Sequence, residues 1–189
     1  MKRAAIASLT SLLVSGCASV NVADSHMHLA PGPVSHDPTM ALVVVARPRT
    51  PCDNSDRFLI VDDAGRFVGE SIAGGRFELE VTPGAHAFYA WDPEQKWIVA
   101  KFPTYDDAGG VAVTVEPGAS RVVLASRPNV GRLRGRACNT LAPIRLRVAD
   151  AEEIDGVIES TTLLVTVDAP TFEPGEVERH VERARARMP

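Results

Sequence analysis

The sequence predicts a mainly β protein, an antiparallel β-sandwich carrying a short helix at its C-terminus. Three observations carry that prediction. Apolar residues fall in short, valine-rich runs of strand length. Turn formers are frequent, with 14 prolines and 14 glycines in 189 residues. The hydrophobic content of 45% suffices for a core, although aromatics make up only 5%. Short apolar runs bounded by turn signals read as strands, and many of them at close spacing read as a sandwich.

The chain opens with a different kind of segment. Lys2 and Arg3 precede an apolar stretch over residues 4–14. That stretch is too short for a bilayer, which needs roughly 20 apolar residues, but suits a secretory signal. It ends in Val14-Ser15-Gly16-Cys17, which resembles the lipobox of bacterial lipoproteins. The resemblance implies cleavage before Cys17, a diacylglycerol on its sulfur and a further acyl chain such as palmitate on the freed amine. Two or more chains anchor stably where one does not. Ala18 follows where lipoproteins retained in the inner membrane often carry Asp, which implies an outer-membrane anchor facing the periplasm. The resulting map is a signal peptide over 1–16, a lipidated N-terminus and flexible tether over 17–39, a sandwich over 40–170 and a tail over 171–189.

Within the domain, residues 40–46 (MALVVVA) form a continuous apolar run, expected of a strand buried on both faces. Residues 57–61 and 66–70 flank Asp62-Asp63-Ala64-Gly65 as a hairpin. In residues 76–81 (RFELEV) strict alternation places Phe77, Leu79 and Val81 inward. Thr82-Pro83-Gly84 then turns the chain into residues 85–91. The same module returns at Val115-Glu-Pro-Gly-Ala119, between residues 111–115 and 120–125, and both copies suggest successive hairpins. Residues 132–136, 144–148 and 163–167 read as further strands, and 151–159 has helical residues. Residues 176–188 predict a terminal helix, with acids early and arginines late to complement the helix dipole. Its apolar stripe of Val177, Val181, Ala184 and Met188 is thin, as expected of a helix lying loosely on the surface.

Charge and cysteine content narrow the function classes. Removing residues 1–16 takes two of the 20 basic residues and none of the 24 acidic ones, leaving 18 against 24 and a formal charge of −6. That balance argues against nucleic acid as a partner. With Cys17 lipidated, Cys52 and Cys138 remain as an even pair in an oxidising compartment, which predicts a disulfide. No third or fourth ligand stands at a spacing that would make these cysteines a metal site, and no cofactor is expected.

Several groups have side chains capable of chemistry. His26, Met27, His28 and His36 could hold a soft metal only if a flexible segment became ordered, so no metal is assigned. Asp62-Asp63 and Asp106-Asp107 each precede Ala-Gly and read as turn residues rather than acid–base pairs. His86 follows a turn glycine, and no nucleophile elbow, Cys–His set or zinc-helix motif occurs. Arg132, Arg134 and Arg136 alternate, as do Arg145 and Arg147. On paired strands they would share a face suited to phospholipid headgroups, lipopolysaccharide phosphates or an acidic protein surface, unless the chain's own carboxylates cover them. Trp91 and Trp97 flank Asp92-Pro93-Glu94, as a surface contact if exposed and as core if buried.

Residues 41–48 (ALVVVARP), Phe58-Leu-Ile-Val-Asp62, Gly69, Gly75–Phe77, Val81-Thr-Pro-Gly-Ala-His86 and Val115-Glu-Pro-Gly118 together resemble bacterial lipoproteins of the domain of unknown function 2846 family, over roughly residues 40–127. The resemblance implies an immunoglobulin-like or transthyretin-like sandwich on a lipid anchor and transfers no catalytic residue. The functional expectation is an envelope lipoprotein with a non-enzymatic binding or scaffolding domain, held to the membrane by lipid and meeting an envelope protein, anionic lipid or glycan. The alternatives are an accessory subunit of a secretion or transport assembly and, third, a hydrolase with a site assembled from distant residues.

Overall fold

The apolar run becomes a central strand because it has something to bury on both sides. The computed structural model describes residues 20, 25–50, 57–91, 109–126, 145–186 and 188. Strand β2 (Ala41–Arg47) pairs antiparallel with β5 (Gly75–Val81) over seven residue pairs, and parallel with β8 (Ser120–Ser126) on its other side. With β1 (Met27–Leu29), β9 (Arg145–Val148) and β10 (Thr162–Thr166) they make a six-stranded sheet in the order β1-β10-β5-β2-β8-β9. The second sheet is antiparallel throughout: β3 (Phe58–Asp62), β4 (Phe67–Ser71), β6 (Gly84–Trp91) and β7 (Gly109–Val115), ordered β4-β3-β6-β7.

Three apolar layers result. Between the sheets Val43, Val45 and Phe77 meet Phe58, Ile60 and Phe88. The alternate residues of β2, Val44 and Ala46, enter a second cluster with Val122 and Leu124, closed by Val157 of helix α1 (Ile154–Ser160). On the outer face of the four-stranded sheet, helix α2 (Glu176–Arg185) lays Val177, Val181 and Ala184 on Leu59, Val61, Tyr89 and Trp91. Helix–sheet–sheet–helix layering thus explains why β2 and β3 lack the apolar–polar alternation of a half-exposed strand.

The predicted fold class is observed, with four differences in detail. The sheets are not wholly antiparallel, since β2/β8 and β10/β5 are parallel pairs. Neither Pro-Gly turn closes a hairpin: β5 and β8 belong to one sheet, β6 and β7 to the other, so both turns carry the chain across the sandwich. The turn at Glu116–Ala119 has Gly118 at φ 66 and closes with Ala119 N–H donating to the Glu116 carbonyl. Such chemistry reverses the chain but leaves partner choice to side-chain burial. The N-terminal segment is no free tether over its length. Met27 is fully buried, β1 pairs with β10, and the buried Glu70 carboxylate accepts from Ser25 Oγ at 2.7 Å and His26 N–H at 3.0 Å. A buried carboxylate needs such donors, and these residues supply them. Helix α2 is not loose either, because His180 completes its apolar stripe. That ring is fully buried, stacks on Trp91 with centroids 5.0 Å apart, and donates Nε2–H to the Ala90 carbonyl at 3.2 Å.

Candidate functional site

Of the residues singled out from sequence, Cys17, Cys52, Cys138, Arg132, Arg134, Arg136 and Trp97 lie outside the described residues, as do the strand expected at 132–136 and the Asp106-Asp107 pair. Trp91 is 3% exposed, so it is core rather than a contact surface, wedged between Phe172 and His180. Arg147 is exposed but committed. It forks onto Glu153 at 2.6 and 3.2 Å, which raises the arginine pKa and lowers that of the glutamate, hydrogen bonding being the leading cause for both. Arg145, on the edge strand β9, is exposed. The arginine face thus meets the chain's own carboxylates at Arg147.

The other candidates are separated. His26 Nδ1 lies 3.0 Å from Asp168, whereas Glu78 and Glu80 hold His36 at 2.6 and 3.3 Å. Among the described residues no three ligating side chains converge on one point. Asp62 is a turn residue, accepting from the N–H groups of Ala64 and Arg66 and from Arg66 Nε at 2.7 Å. That carboxylate raises the Arg66 pKa, first through the hydrogen bond and then through its charge. His86 donates Nε2–H to the Thr82 carbonyl at 2.7 Å and stacks on Phe88.

What the fold does build is a cleft, created by two strands that part company. β10 runs parallel to β5 only from Thr162↔Gly75 to Leu164↔Phe77. Beyond that point β10 pairs with β1 alone, through Val165 and Thr166, while β5 continues to Val81 beside β2 alone. The wedge between them opens into the inter-sheet space as a cleft of about 670 Å³. Its apolar lining includes Val68, Phe77, Leu79, Phe88 and Leu164. Alternation directs Leu79 into the core with Phe77 and Val81, yet it remains half-buried, lining the cleft. Residues 34–40 pass alongside, held by His36 on Glu78 and by Asp37 N–H on Glu80, and contribute Val34 and Met40.

The lining is acidic at its polar margin. It carries the carboxylates of Asp62, Asp63, Glu78 and Glu80 against one guanidinium, Arg66, which Asp62 already neutralises. Asp62, His86, Glu78 and Glu80 are engaged locally, by turn, backbone or strap. The lining is mixed, with apolar side chains on the floor and charged and polar ones at the margin, and a volume of this size is within the range of pockets that hold small ligands.

No family model, curated protein or solved structure matches this chain. Sequence reasoning found the inward set Phe77, Leu79 and Val81 but missed the cleft, for which the only local sign was that β10 has fewer residues than β5.

Proposed function

We propose that this chain is an outer-membrane lipoprotein, anchored through Cys17, whose sandwich binds a partner without catalysing a reaction, at the cleft between β5 and β10. The observation that carries the reading is Leu79, an inner-face residue left half-buried at the apolar floor of an open cleft with a charged margin. Pockets of that build bind by removing apolar surface from water, at roughly 25 cal/mol per Å². The anchor reading is supported by the Val14–Cys17 lipobox. Val20, three positions after Cys17 in the sequence, packs against the core beside Gly74. The lipid then holds the sandwich close to the bilayer. The Cys52–Cys138 bridge is proposed on the even pair of cysteines that remains once Cys17 carries lipid.

Two experiments test the reading. Labelled fatty acid is expected in the wild type and absent from Cys17→Ser, and equal labelling removes the anchor. A photo-crosslinking residue at Leu79 is expected to trap a partner in intact cells where one at Arg145 does not. Crosslinks from Arg145 alone would return the binding surface to the arginine strands.

A further inference from the structure

The geometry points to an extended peptide as the occupant of the cleft, inserted as an extra strand between β5 and β10, with apolar side chains facing inward and basic ones facing the rim. This deepens the proposed function and rests on it. Three independent features specify the occupant. The first is backbone. Over Glu78–Val81 strand β5 has β2 on one edge and no strand on the other, and over Val165–Thr166 strand β10 has β1 on one edge and none on the other, among the described residues. Two unpaired edges therefore face one wedge. Strand edges present rows of amide and carbonyl groups, and an extended peptide satisfies them as a lipid chain cannot. The free edge of β5 is four residues, roughly 13 Å at about 3.3 Å per residue, which sets the length of the inserted segment.

The second feature is the floor. Leu79, Val68 and Phe88 lie where alternate side chains of an inserted strand would reach the inter-sheet core. Every second residue of the peptide is then apolar. The third is charge. With Asp62 spent on Arg66, the carboxylates of Asp63, Glu78 and Glu80 remain at the margin. His36 is the cross-strap partner of the two glutamates, and Arg76 lies 3.9 Å from Glu78. An anionic segment is disfavoured there and lysine or arginine side chains are favoured. The partner is accordingly a protein with an exposed or disordered stretch of alternating apolar and basic residues.

The test uses the full chain carrying Cys17→Ser, which needs no detergent, and three synthetic hexapeptides measured by calorimetry. One alternates valine and lysine. The second is the same peptide N-methylated at alternate amides, and the third alternates valine and glutamate. The first is expected to bind and to slow hydrogen exchange at the Glu78–Val81 amides. N-methylation, which removes at least two backbone hydrogen bonds, is expected to weaken binding about thirtyfold. The glutamate peptide is expected to bind about tenfold more weakly at low salt, with the gap narrowing as salt rises. Leu79→Trp fills the floor and is expected to abolish binding with an unchanged circular dichroism spectrum. If that variant misfolds, the exchange measurement on Leu79 chain decides alone. Equal affinity for the methylated peptide overturns the proposal. So does binding of dodecyltrimethylammonium with no peptide binding, which assigns the cleft to a small amphiphile. Crosslinks from Leu79 in cells without peptide binding reject the inserted strand while leaving the binding reading intact.

Discussion

Gly69→Ala is the most informative single perturbation of the cleft wall. A Cβ at position 69 would stand 2.7 to 2.9 Å from three ring carbons of Phe77. Carbon atoms in contact prefer about 3.5–4.0 Å, so the ring must retreat by roughly 1 Å. In a filled core that retreat meets other side chains, and overpacking costs about 1–3 kcal/mol. Phe77 lines the open cleft, so it has somewhere to go, and the cost belongs at the low end. Replacing glycine also restricts the unfolded chain, which stabilises by about 0.4–1 kcal/mol where the backbone tolerates it. With about 1.5 kcal/mol for the overpacking set against about 0.5 kcal/mol for the lost glycine, the net expectation is a loss of about 1 kcal/mol. For a chain of this size that shifts the melting midpoint by about 2–4 °C. Urea denaturation of Gly69→Ala, Phe77→Leu and the double variant gives the coupling directly. The alanine is expected to cost nothing measurable once the ring is gone. The retreating ring also enters the cleft, so the single variant should bind the valine–lysine peptide more weakly. A cost of 3 kcal/mol or more, or the same cost in the Phe77→Leu background, would refute the argument that Phe77 borders open space.

Further predictions follow from the corrected parts of the fold. Met27→Ala should destabilise by about 2–5 kcal/mol in urea titration, as for other large-to-small core changes, since Met27 is fully buried; an unperturbed midpoint would return residues 25–30 to a free tether. Val181→Ala should cost about 2 kcal/mol, or about 4–8 °C, because Val181 is 5% exposed on the face of α2 that packs against the sheet. A loose helix would lose almost nothing. The Arg147–Glu153 pair gives a pH signature. The glutamate pKa is lowered from its ordinary 4.5, so the contribution is complete above that value and disappears as pH falls through the lowered one. Wild type and Glu153→Gln should therefore differ in thermal stability at pH 6 and converge as the pH falls below the lowered glutamate pKa, with the difference shrinking in high salt.

Which parts of this arrangement the residues announce, and which they conceal, follows from the range of the forces involved. Strands β3, β4, β5 and β6 were legible because side-chain period and turn chemistry are local. Asp62 and Gly65 specify the β3–β4 turn, and Phe77, Leu79 and Val81 specify an inner face. Partner choice was not legible. The alternation of β5 is the same whether β6 or β2 lies beside it, and what decides is the continuous apolar β2, which needs both its faces and both its edges covered. Helix α2 looked thin because histidine counts as polar, whereas His180 is buried once its Nε2–H has a carbonyl and its ring has Trp91. The cleft lies furthest from local reading. It exists because a parallel register between residues more than 80 positions apart ends after three pairs, at Leu164↔Phe77. Extending that register by two residues would bring Thr166 beside Leu79, fill the wedge and remove the candidate site without altering any strand's own pattern. A sequence whose β10 continued along β5 would have the same predicted elements and no place for an inserted strand. The candidate site is thus a property of where one pairing stops, and the residue that registers it is Leu79, inward by period and half-exposed by register.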